Sequence, residues 1–541
     1  MEAAGIHNLE LILLLLLLFV AGLAALAKRV ETPYPIVLVI GGLILSFFPR
    51  IPHVQLNPDV VFLVVLPPLL FSSAFLTSWR DFRSNLTIIF MLAFGLVGFT
   101  AVGVAAASRW ILPGFTWRMG LVLGAVVSTT DAIAATAIAK RLGLPKRITD
   151  VIEGESLVND ATGLLALEFA TGLIVSGTTE GITAGGIRLL YLVFGSIAIG
   201  LVIGRLIHFF ESKIEDAAIE ITLSLIAPYA AYLAGEGAHA SGVLATVTCG
   251  LYLGHKSSLF FSTGARLEAG AVWDTLTFIL NGFVFIIIGL QLPYILKGIE
   301  AMSLRRLLAL GLAFSAVVIL LRFAWVYPGA WAANLFRQRI LHQPNPFPNP
   351  RYIFLVGWTG MRGVVALAAA ISLPVYLNNG EHFPQRELMI FLTFCVIFVT
   401  LVLQGLTLPS LIRPLGLAGQ AGLAHSNPEE REARTAMLEA AKAYLDHAQE
   451  TDDPKFAPIY EELMRLERHR ANLAANESLN ETGYRTEDYR RFQELSRHLR
   501  ALQRATLLNM RNERQINDEV MRKLEHEIDL LEARFANLEG N

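Results

Sequence analysis

Charged residues are scarce in this sequence, and their scarcity limits the classes of protein that it can encode. Lys, Arg, Asp and Glu make up 17% of the 541 residues, whereas soluble domains average about 25%. Hydrophobic residues make up 54%, and the mean hydropathy is +0.51. This balance excludes an ordinary soluble domain and indicates a membrane protein whose main surroundings are the lipid bilayer. The net charge of −2 argues neither for nor against nucleic acid, and we expect no nucleic-acid partner for a protein of the bilayer.

Cysteine is also scarce, and zinc and nucleotide motifs are missing. Cys249 and Cys395 both lie in apolar runs and suggest no disulfide framework. His526 lacks a second His at the helical spacing that zinc requires, and the run 254–257 lacks the Gly-Lys step of a phosphate-binding loop. We therefore expect no cofactor, no enzymatic reaction and no ATP-driven step, so that any transport is driven by a gradient.

A positive charge is missing ahead of the first apolar run. Residues 1–10 hold no Lys or Arg, and the run 11–27 ends at Lys28 and Arg29, which is the reverse of a cleavable signal peptide. Lys and Arg are more frequent in alternate loops, which favours an outside N-terminus and a cytoplasmic C-terminal tail in the cell inner membrane. Counting the first run, we predict about thirteen transmembrane helices, the others at 34–48, 59–76, 86–107, 118–139, 151–175, 184–209, 217–235, 239–254, 269–296, 304–334, 352–377 and 388–412.

The composition changes after residue 412, since about half of all acidic residues lie in the tail. We predict a transmembrane domain over 1–414 and a helical cytoplasmic domain over 415–541 that serves regulation or dimerisation. A dimeric coiled coil and a helix packed on the tail's own helices both fit its apolar spacing. The residues of this heptad seam are Met521, Leu524, Ile528, Leu531, Phe535 and Leu538.

Two of the predicted helices are interrupted. The fifth carries Ser128-Thr-Thr-Asp131 at its middle, and the twelfth carries a glycine cluster around Arg362. Polar or glycine-rich breaks at corresponding positions of two halves are typical of transporters with inverted repeats. Unwound backbone at this depth is stable only where it lines protein or water. The sequence therefore predicts a transport site at these two breaks.

Embedded carboxylates are the candidate functional groups. Too few apolar residues follow Asp160 in its segment to span the bilayer alone, so Asp160 must lie inside. A charged group there costs about 2.5–3.5 kcal/mol on insertion scales, and such residues usually mark ion paths. Asp160 and Asp131 have oxygen-bearing neighbours in Ser156, Asn159 and Thr130, and oxygen ligands suit alkali cations. We expect these five residues to form the site.

A buried arginine needs a partner, and Glu155, a little over one turn before Asp160, is the natural candidate for Arg362. We predict a structural Glu155–Arg362 ion pair that holds the break, with a place in the proton path as the alternative. Glu168 fits an extension of the ion path and a partnered structural acid equally well. We interpret Arg322 as a group that lies at the membrane interface or pairs two helices.

These motifs resemble the sodium/proton exchanger branch of the monovalent cation/proton antiporters, in particular NhaP-like bacterial members with a cytoplasmic tail. The resemblance covers about residues 10–412. It implies an all-α polytopic fold of thirteen helices with two crossed broken helices, a homodimer, and elevator-like alternating access. The matching stretches are Gly154-Glu-Ser-Leu-Val-Asn-Asp160, Thr130-Asp-Ala-Ile-Ala134, Gly360-Met-Arg-Gly363 and Leu66-Pro-Pro-Leu-Leu-Phe71.

The resemblance also implies residue roles. Asp160 would carry the ion and the proton, Ser156 and the Thr130 backbone would be ligands, and Asp131 a nearby stabilising acid. The function would be exchange of H⁺ for Na⁺, or for K⁺ or Li⁺. Because Asn159 cannot titrate, we expect one-for-one exchange without net charge. A gated cation channel and a proton-coupled solute symporter are the alternatives.

Two positions depart from the family pattern. Ser72 and Ser73 follow Phe71 where many relatives have an acid, and Ala132 replaces a proline that often follows the aspartate. The first difference bears on the number of cation ligands, and the second on what breaks the helix.

Overall fold

The structure is a computed structural model, and it describes most of the first 418 residues and parts of the tail. The chain divides into two compact units, Met1–Ala418 and Gly419–Asn541. The described residues are 2–48, 58–112, 114–175, 182–297, 299, 302–340, 342, 349–377, 380–418, 428–452, 455, 458–465, 499, 501–507, 509–510, 513, 524 and 528.

The described part of the first unit is helical, and its strand pairing is limited to an isolated bridge between Tyr376 and His382. Two helices, α5 and α12, each consist of two half-helices, a and b. The helices are α1 Glu2–Arg29, α2 Tyr34–Leu45, α3 Pro58–Leu76, α4 Trp79–Ile111, α5a Trp117–Val126, α5b Ile133–Arg141, α6 Lys146–Val175, α7 Ile182–Glu211, α8 Ala217–Gly237, α9 Gly242–Phe260, α10 Thr263–Leu290 with a short extension Leu292–Lys297, α11 Leu304–Arg339, α12a Pro350–Trp358, α12b Val364–Ile371 and α13 Arg386–Ile412.

Eight of these helices are long and apolar enough to cross a membrane, namely α3, α4, α6, α7, α8, α10, α11 and α13 among the described residues. The shorter apolar helices include α2 and α5a. The prediction of a multi-pass helical protein is therefore confirmed, while a total of about thirteen spans stays a prediction. Both predicted interruptions are present, at 127–132 in α5 and 359–363 in α12.

The helices of the first unit pack in two groups. One group contains α1 to α3 and α7 to α10, and the other contains α4 to α6 and α11 to α13. Small residues allow close approach within the first group: a Cβ at Gly42 or Gly289 would overlap backbone atoms of the facing helix where α2 meets α10. Helices α5a and α6 pack side by side in the second group, so that the α5 break faces the middle of α6.

The tail unit contains helix α14, Pro428–Thr451, which is charged along its length. The predicted heptad seam lies outside the described residues except for Leu524 and Ile528. The regulatory or dimerising role of the tail stays a prediction.

Candidate ion-binding site

The two helix breaks contact each other directly. The Asp131 amide donates to the carbonyl oxygen of Met361 at 2.8 Å. In the other direction, Nε of Arg362 donates to the carbonyl oxygen of Val127 at 2.7 Å. Backbone groups that leave helical hydrogen bonding inside a membrane must be satisfied by other protein groups. Each break supplies such partners to the other.

Arg362 binds backbone carbonyls instead of a carboxylate. It is 1% exposed, and its Nη1 donates to the Gly360 carbonyl at 2.5 Å. Val127 and Gly360 follow the C-terminal ends of α5a and α12a, where the helix dipole is negative and a cation is favourable. The backbone amide of Arg362 donates to Thr400 Oγ1 at 3.1 Å, which ties the break to α13. Arg362 therefore donates hydrogen bonds to carbonyls at the C-terminal ends of both first half-helices, α5a and α12a.

The predicted Glu155–Arg362 ion pair is wrong, because Glu155 binds Arg322 of α11. Arg322 Nη1 and Nη2 donate to the two carboxylate oxygens at 2.5 and 2.8 Å, and both side chains are 2% exposed. Arg322 also donates to the carbonyls of Val356 and Gly357 at 2.8 and 3.1 Å. The pair therefore joins α6, α11 and the last turn of α12a. A bidentate guanidinium–carboxylate pair satisfies both buried charges, which leaves Arg362 for the carbonyls.

A sequence signal for Arg322 exists. It lies near the middle of α11, a span of 36 residues whose other charged residues lie near its ends. A charge at mid-membrane depth requires a partner, so the sequence allowed either Arg322 or Arg362 to pair with Glu155. Only the packing of α11 against α12a and the approach of Arg322 to α6 distinguish them.

Four of the predicted site residues form a polar network around the α5 break. Ser156 Oγ donates to the Thr130 carbonyl at 2.8 Å, and Asn159 Nδ2 donates to Thr130 Oγ1 at 3.2 Å. Thr130 Oγ1 makes a longer contact of 3.5 Å with Glu155. The network thus runs from Asn159 through Thr130 to the buried ion pair, and it holds α6 against the break.

Asp131 lies beside the start of both second half-helices. Its Oδ1 accepts a hydrogen bond from the Ile133 amide at 2.8 Å, at the first residue of α5b. Its carboxylate lies against Gly363, which precedes α12b, and a Cβ at Gly363 would overlap it. The N-terminal ends of helices attract negative charge. This capping, together with the amide bond to Met361, maintains the break although Ala132 replaces proline.

Asp160 and Asp131 line one cavity of about 310 Å³ between the two groups of helices. Asp160 is 7% exposed. At its other end the cavity is lined by Lys140 and Glu153, which form an ion pair of 3.1 Å with partly exposed side chains. The cavity that contains Asp160 therefore extends to exposed residues of α5b and α6.

Helices α3 and α10 add further polar residues to this cavity, and those on α10 were not predicted from the sequence. Thr277 and Asn281, one turn apart on α10, line it together with Ser72 and Ser73 of α3. The available signal was Asn281 in an apolar span, because polar side chains inside a membrane are costly and usually functional. Serine, threonine and asparagine side chains carry no charge, so this wall of the cavity is polar and uncharged.

Comparison with known proteins identifies the family. A family model for the transmembrane part of sodium/hydrogen exchangers matches residues 14–413. The chain belongs to this family. It is 34% identical, over 99% of its length and 97% of the relative's, to an uncharacterized Na⁺/H⁺ exchanger of Mycobacterium tuberculosis. It is 31% identical, over 70% of its length and 58% of the relative's, to the sodium, potassium, lithium and rubidium/H⁺ antiporter of Bacillus subtilis.

The fold of the exchanger matches a solved structure. The sodium proton antiporter MjNhaP1 of Methanocaldococcus jannaschii superposes with a TM-score of 0.60 over 77% of this chain and 99% of that one, at 18% identity. With the family match, this makes the chain a cation/proton exchange transporter of the NhaP antiporter fold. None of these comparisons supports a channel or a symporter.

Glu168 of the exchanger lies away from the Asp160 cavity. It forms an ion pair of 2.7 Å with Arg188 of α7, and both side chains are about half exposed, at 51% and 57%. Glu168 does not line the Asp160 cavity. Of the two interpretations that its position allowed, the partnered structural acid agrees with this geometry.

Proposed function

We propose that Asp160 binds a monovalent cation and a proton in turn, so that the exchanger moves one for the other. The observation that carries this proposal is the different surroundings of the three acids at the helix breaks, Glu155, Asp131 and Asp160. Glu155 is neutralised by Arg322, and Asp131 accepts from a helix N-terminus. Among the described residues, no cation or hydrogen-bond donor contacts the Asp160 carboxylate. It is the acid whose partner can change.

The neighbours of Asp160 supply oxygen ligands for the cation. Ser156 Oγ and the Thr130 carbonyl lie together, and Asp131 faces the same cavity. Asn159 Oδ1 is buried and has no hydrogen-bond partner. Oxygen donors of this kind suit alkali cations. We infer Na⁺ as the principal cation, and the name of the Bacillus subtilis relative makes K⁺ and Li⁺ the competitors to test.

The exchange ratio follows from which groups can titrate. Asn159 hydrogen-bonds but cannot change its charge, and Asp131 already accepts a hydrogen bond from the Ile133 amide, which leaves Asp160 as the proposed titrating group. One titrating carboxylate gives one proton per monovalent cation. The membrane potential acts on net charge, by about 2.3 kcal/mol per charge per 100 mV. We therefore infer that the exchange is electroneutral.

Alternating access would require the two groups of helices to move past each other. The cavity lies at their boundary, with α3 and α10 on one side and α5, α6 and α12 on the other. Its mouth is formed by Lys140 in the last turn of α5b and Glu153 of α6, on the side that the charge distribution places in the cytoplasm. We infer an inward-facing state of an inner-membrane protein with its N-terminus outside. The family resemblance supports a homodimer.

Reconstitution tests the assignment of Asp160. Purified exchanger in liposomes with an imposed pH gradient should dissipate that gradient on addition of Na⁺, and the rate should saturate. Asp160→Asn should abolish this exchange while the protein still inserts. Glu168→Gln makes the same chemical change at the surface pair and should leave exchange near the wild-type rate. Coupled exchange in Asp160→Asn would refute the proposal, and conductance without proton coupling would indicate a channel.

The exchange ratio has a separate test. In the same liposomes, the membrane potential is clamped with an ionophore at several values. If one proton moves per cation, the cation gradient alone sets the final pH gradient at every voltage. A voltage-dependent end point would show that a second group titrates, and Asp131 would be examined first.

A further inference from the structure

A second cavity, of about 260 Å³, lies between α4, α6, α11 and α12a. It shares no lining residue with the Asp160 cavity. Its wall is formed by a hydrophobic cluster that is separate from the main core. The apolar residues that line it include Ile88, Leu92, Val151, Val326, Ala330 and Ile353.

The mouth of this second cavity is basic and lies at the ends of three helices. Arg147 is in the first turn of α6, Arg337 is in the last turn of α11, and Asn349 is the N-cap of α12a. All three line the cavity, and no Asp or Glu does. Helix ends of membrane proteins lie near the lipid headgroups. The mouth is therefore at headgroup level, on the side that the charge distribution places in the cytoplasm.

The positive charge at the mouth is not balanced by protein groups. Arg147 is exposed and, among the described residues, takes part in no ion pair or side-chain hydrogen bond. Arg337 is 9% exposed, and its acceptor in the described part of the chain is the Ser84 carbonyl at 3.2 Å. A cation in the first turn of a helix is disfavoured by the dipole, so Arg147 does not serve the stability of α6. Two arginines and two helix N-termini converge on a space without an anion.

We propose that this cavity binds an anionic phospholipid of the cytoplasmic leaflet. Arg147 and Arg337 hold the phosphate, for which guanidinium groups are well suited, and an acyl chain lies along the apolar wall. Basic pockets between transmembrane helices on this side are suited to anionic headgroups. A soluble anion would leave the apolar wall unfilled, and a zwitterionic headgroup would bring its own cation towards the arginines. The proposal does not depend on the role of Asp160.

A lipid in this cavity would lie behind the Glu155–Arg322 ion pair. Val151 is one helical turn before Glu155, and Val326 is one turn after Arg322; both line the cavity. Val356, a third lining residue, accepts a hydrogen bond from Arg322. An acyl chain there fills the space between α6, α11 and α12a, which the pair joins. The lipid therefore stabilises the folded exchanger.

Thermal unfolding of the delipidated, full-length exchanger in a neutral detergent tests the proposal. Added phosphatidylglycerol should raise the unfolding midpoint by a few degrees, because a ligand that binds the folded state stabilises it. Phosphatidylcholine and inorganic phosphate should leave it close to the value without lipid. Native mass spectrometry should find phosphatidylglycerol retained on the protein. An equal rise with phosphatidylcholine would overturn the charge argument, and an equal rise with inorganic phosphate would show a soluble-anion site instead.

Three variants locate the effect. Arg147→Gln alone, and with Arg337→Gln, should reduce the rise produced by phosphatidylglycerol. Ala333→Leu keeps both arginines but fills the apolar wall, where Ala333 is 1% exposed, and it should reduce the rise as well. Arg339→Gln is the matched control, since Arg339 is exposed in the same last turn of α11 and does not line the cavity. An undiminished rise in Arg147→Gln and Ala333→Leu would overturn the site.

Discussion

Both helix breaks leave helix ends inside the protein, and the two breaks stabilise these ends with side chains of opposite charge. The α5 break contains hydroxyl groups and a carboxylate, whereas the α12 break contains glycines and a guanidinium. Asp131 faces the N-terminal ends of α5b and α12b. Arg362 binds carbonyls that follow the C-terminal ends of α5a and α12a. The α5 break therefore supplies a negative charge to the N-terminal ends of both second half-helices. The α12 break supplies a positive charge to the C-terminal ends of both first half-helices.

These contacts separate the charges that are paired at the breaks from Asp160, the proposed transport residue. Asp131 faces positive helix ends, Arg362 faces negative helix ends, and Glu155 pairs with Arg322. Under the proposed function, Asp160 is the carboxylate at the breaks that takes up a cation or a proton. Substitutions at four places test the comparison, in order of decreasing expected effect.

Loss of one member of the Glu155–Arg322 pair should have the largest effect. Breaking a buried pair leaves an uncompensated charge and costs about 3–5 kcal/mol of the free energy of unfolding. Arg322→Ala should lower the free energy of unfolding more than Glu155→Ala, because it also removes the hydrogen-bond donors to the carbonyls of Val356 and Gly357. The thermal unfolding midpoint of purified protein measures both. Wild-type midpoints in both variants would show that the pair does not support the α12 break.

Arg362→Gln should have the next largest effect. The carbonyls of Val127 and Gly360 lose their charged donor, and an unsatisfied buried acceptor costs about 1–3 kcal/mol. Arg362→Lys keeps the charge without the planar fork of donors, and its unfolding midpoint should lie between those of Arg362→Gln and wild type. If the unfolding midpoint of Arg362→Lys equals that of wild type, the positive charge alone stabilises these helix ends, and the directed hydrogen bonds of the guanidinium do not contribute.

Gly363→Ala tests the contact of Asp131 with the α12 break. The added Cβ would overlap the Asp131 carboxylate, so Asp131 must move away from the start of α12b and from the cation ligands. We expect a higher Na⁺ concentration for half-maximal exchange in liposomes. Gly98→Ala is the control, since nothing lies within 4 Å of a Cβ there. An unchanged half-maximal concentration in Gly363→Ala would separate Asp131 from cation binding.

Asp131→Asn should have the smallest effect on stability. Asparagine keeps an oxygen acceptor for the Ile133 amide, and Asn and Asp are similarly good helix caps. Asp131→Ala removes the cap and should cost about 0.5–2 kcal/mol. Unfolding midpoints of the two variants provide the comparison. A larger loss in Asp131→Asn than in Asp131→Ala would mean that the charge, and not the hydrogen bond, holds the α5 break.

Local features of the site were predictable because local sequence causes them. The glycines around Arg362 and the polar run before Ala132 are local signals that favour an interruption of the helix. Hydropathy required Asp160 to be inside the membrane. The partner of Glu155 was not predictable, because α11 and α12 both offer an arginine and either could neutralise the acid. The same holds for Thr277 and Asn281, which reach the cavity from a segment distant in sequence.

The sequence by itself determined that this chain is a helical membrane protein, that two of its helices break, and that a carboxylate lies between them. Those conclusions follow from the cost of placing charge and unpaired backbone in a bilayer, which depends on residue type and spacing alone. Only the tertiary structure decided that Arg322 neutralises Glu155 while Arg362 closes the helix ends. A charge at membrane depth demands some partner, but the choice among partners depends on which helices pack together and on the direction in which each side chain leaves its helix.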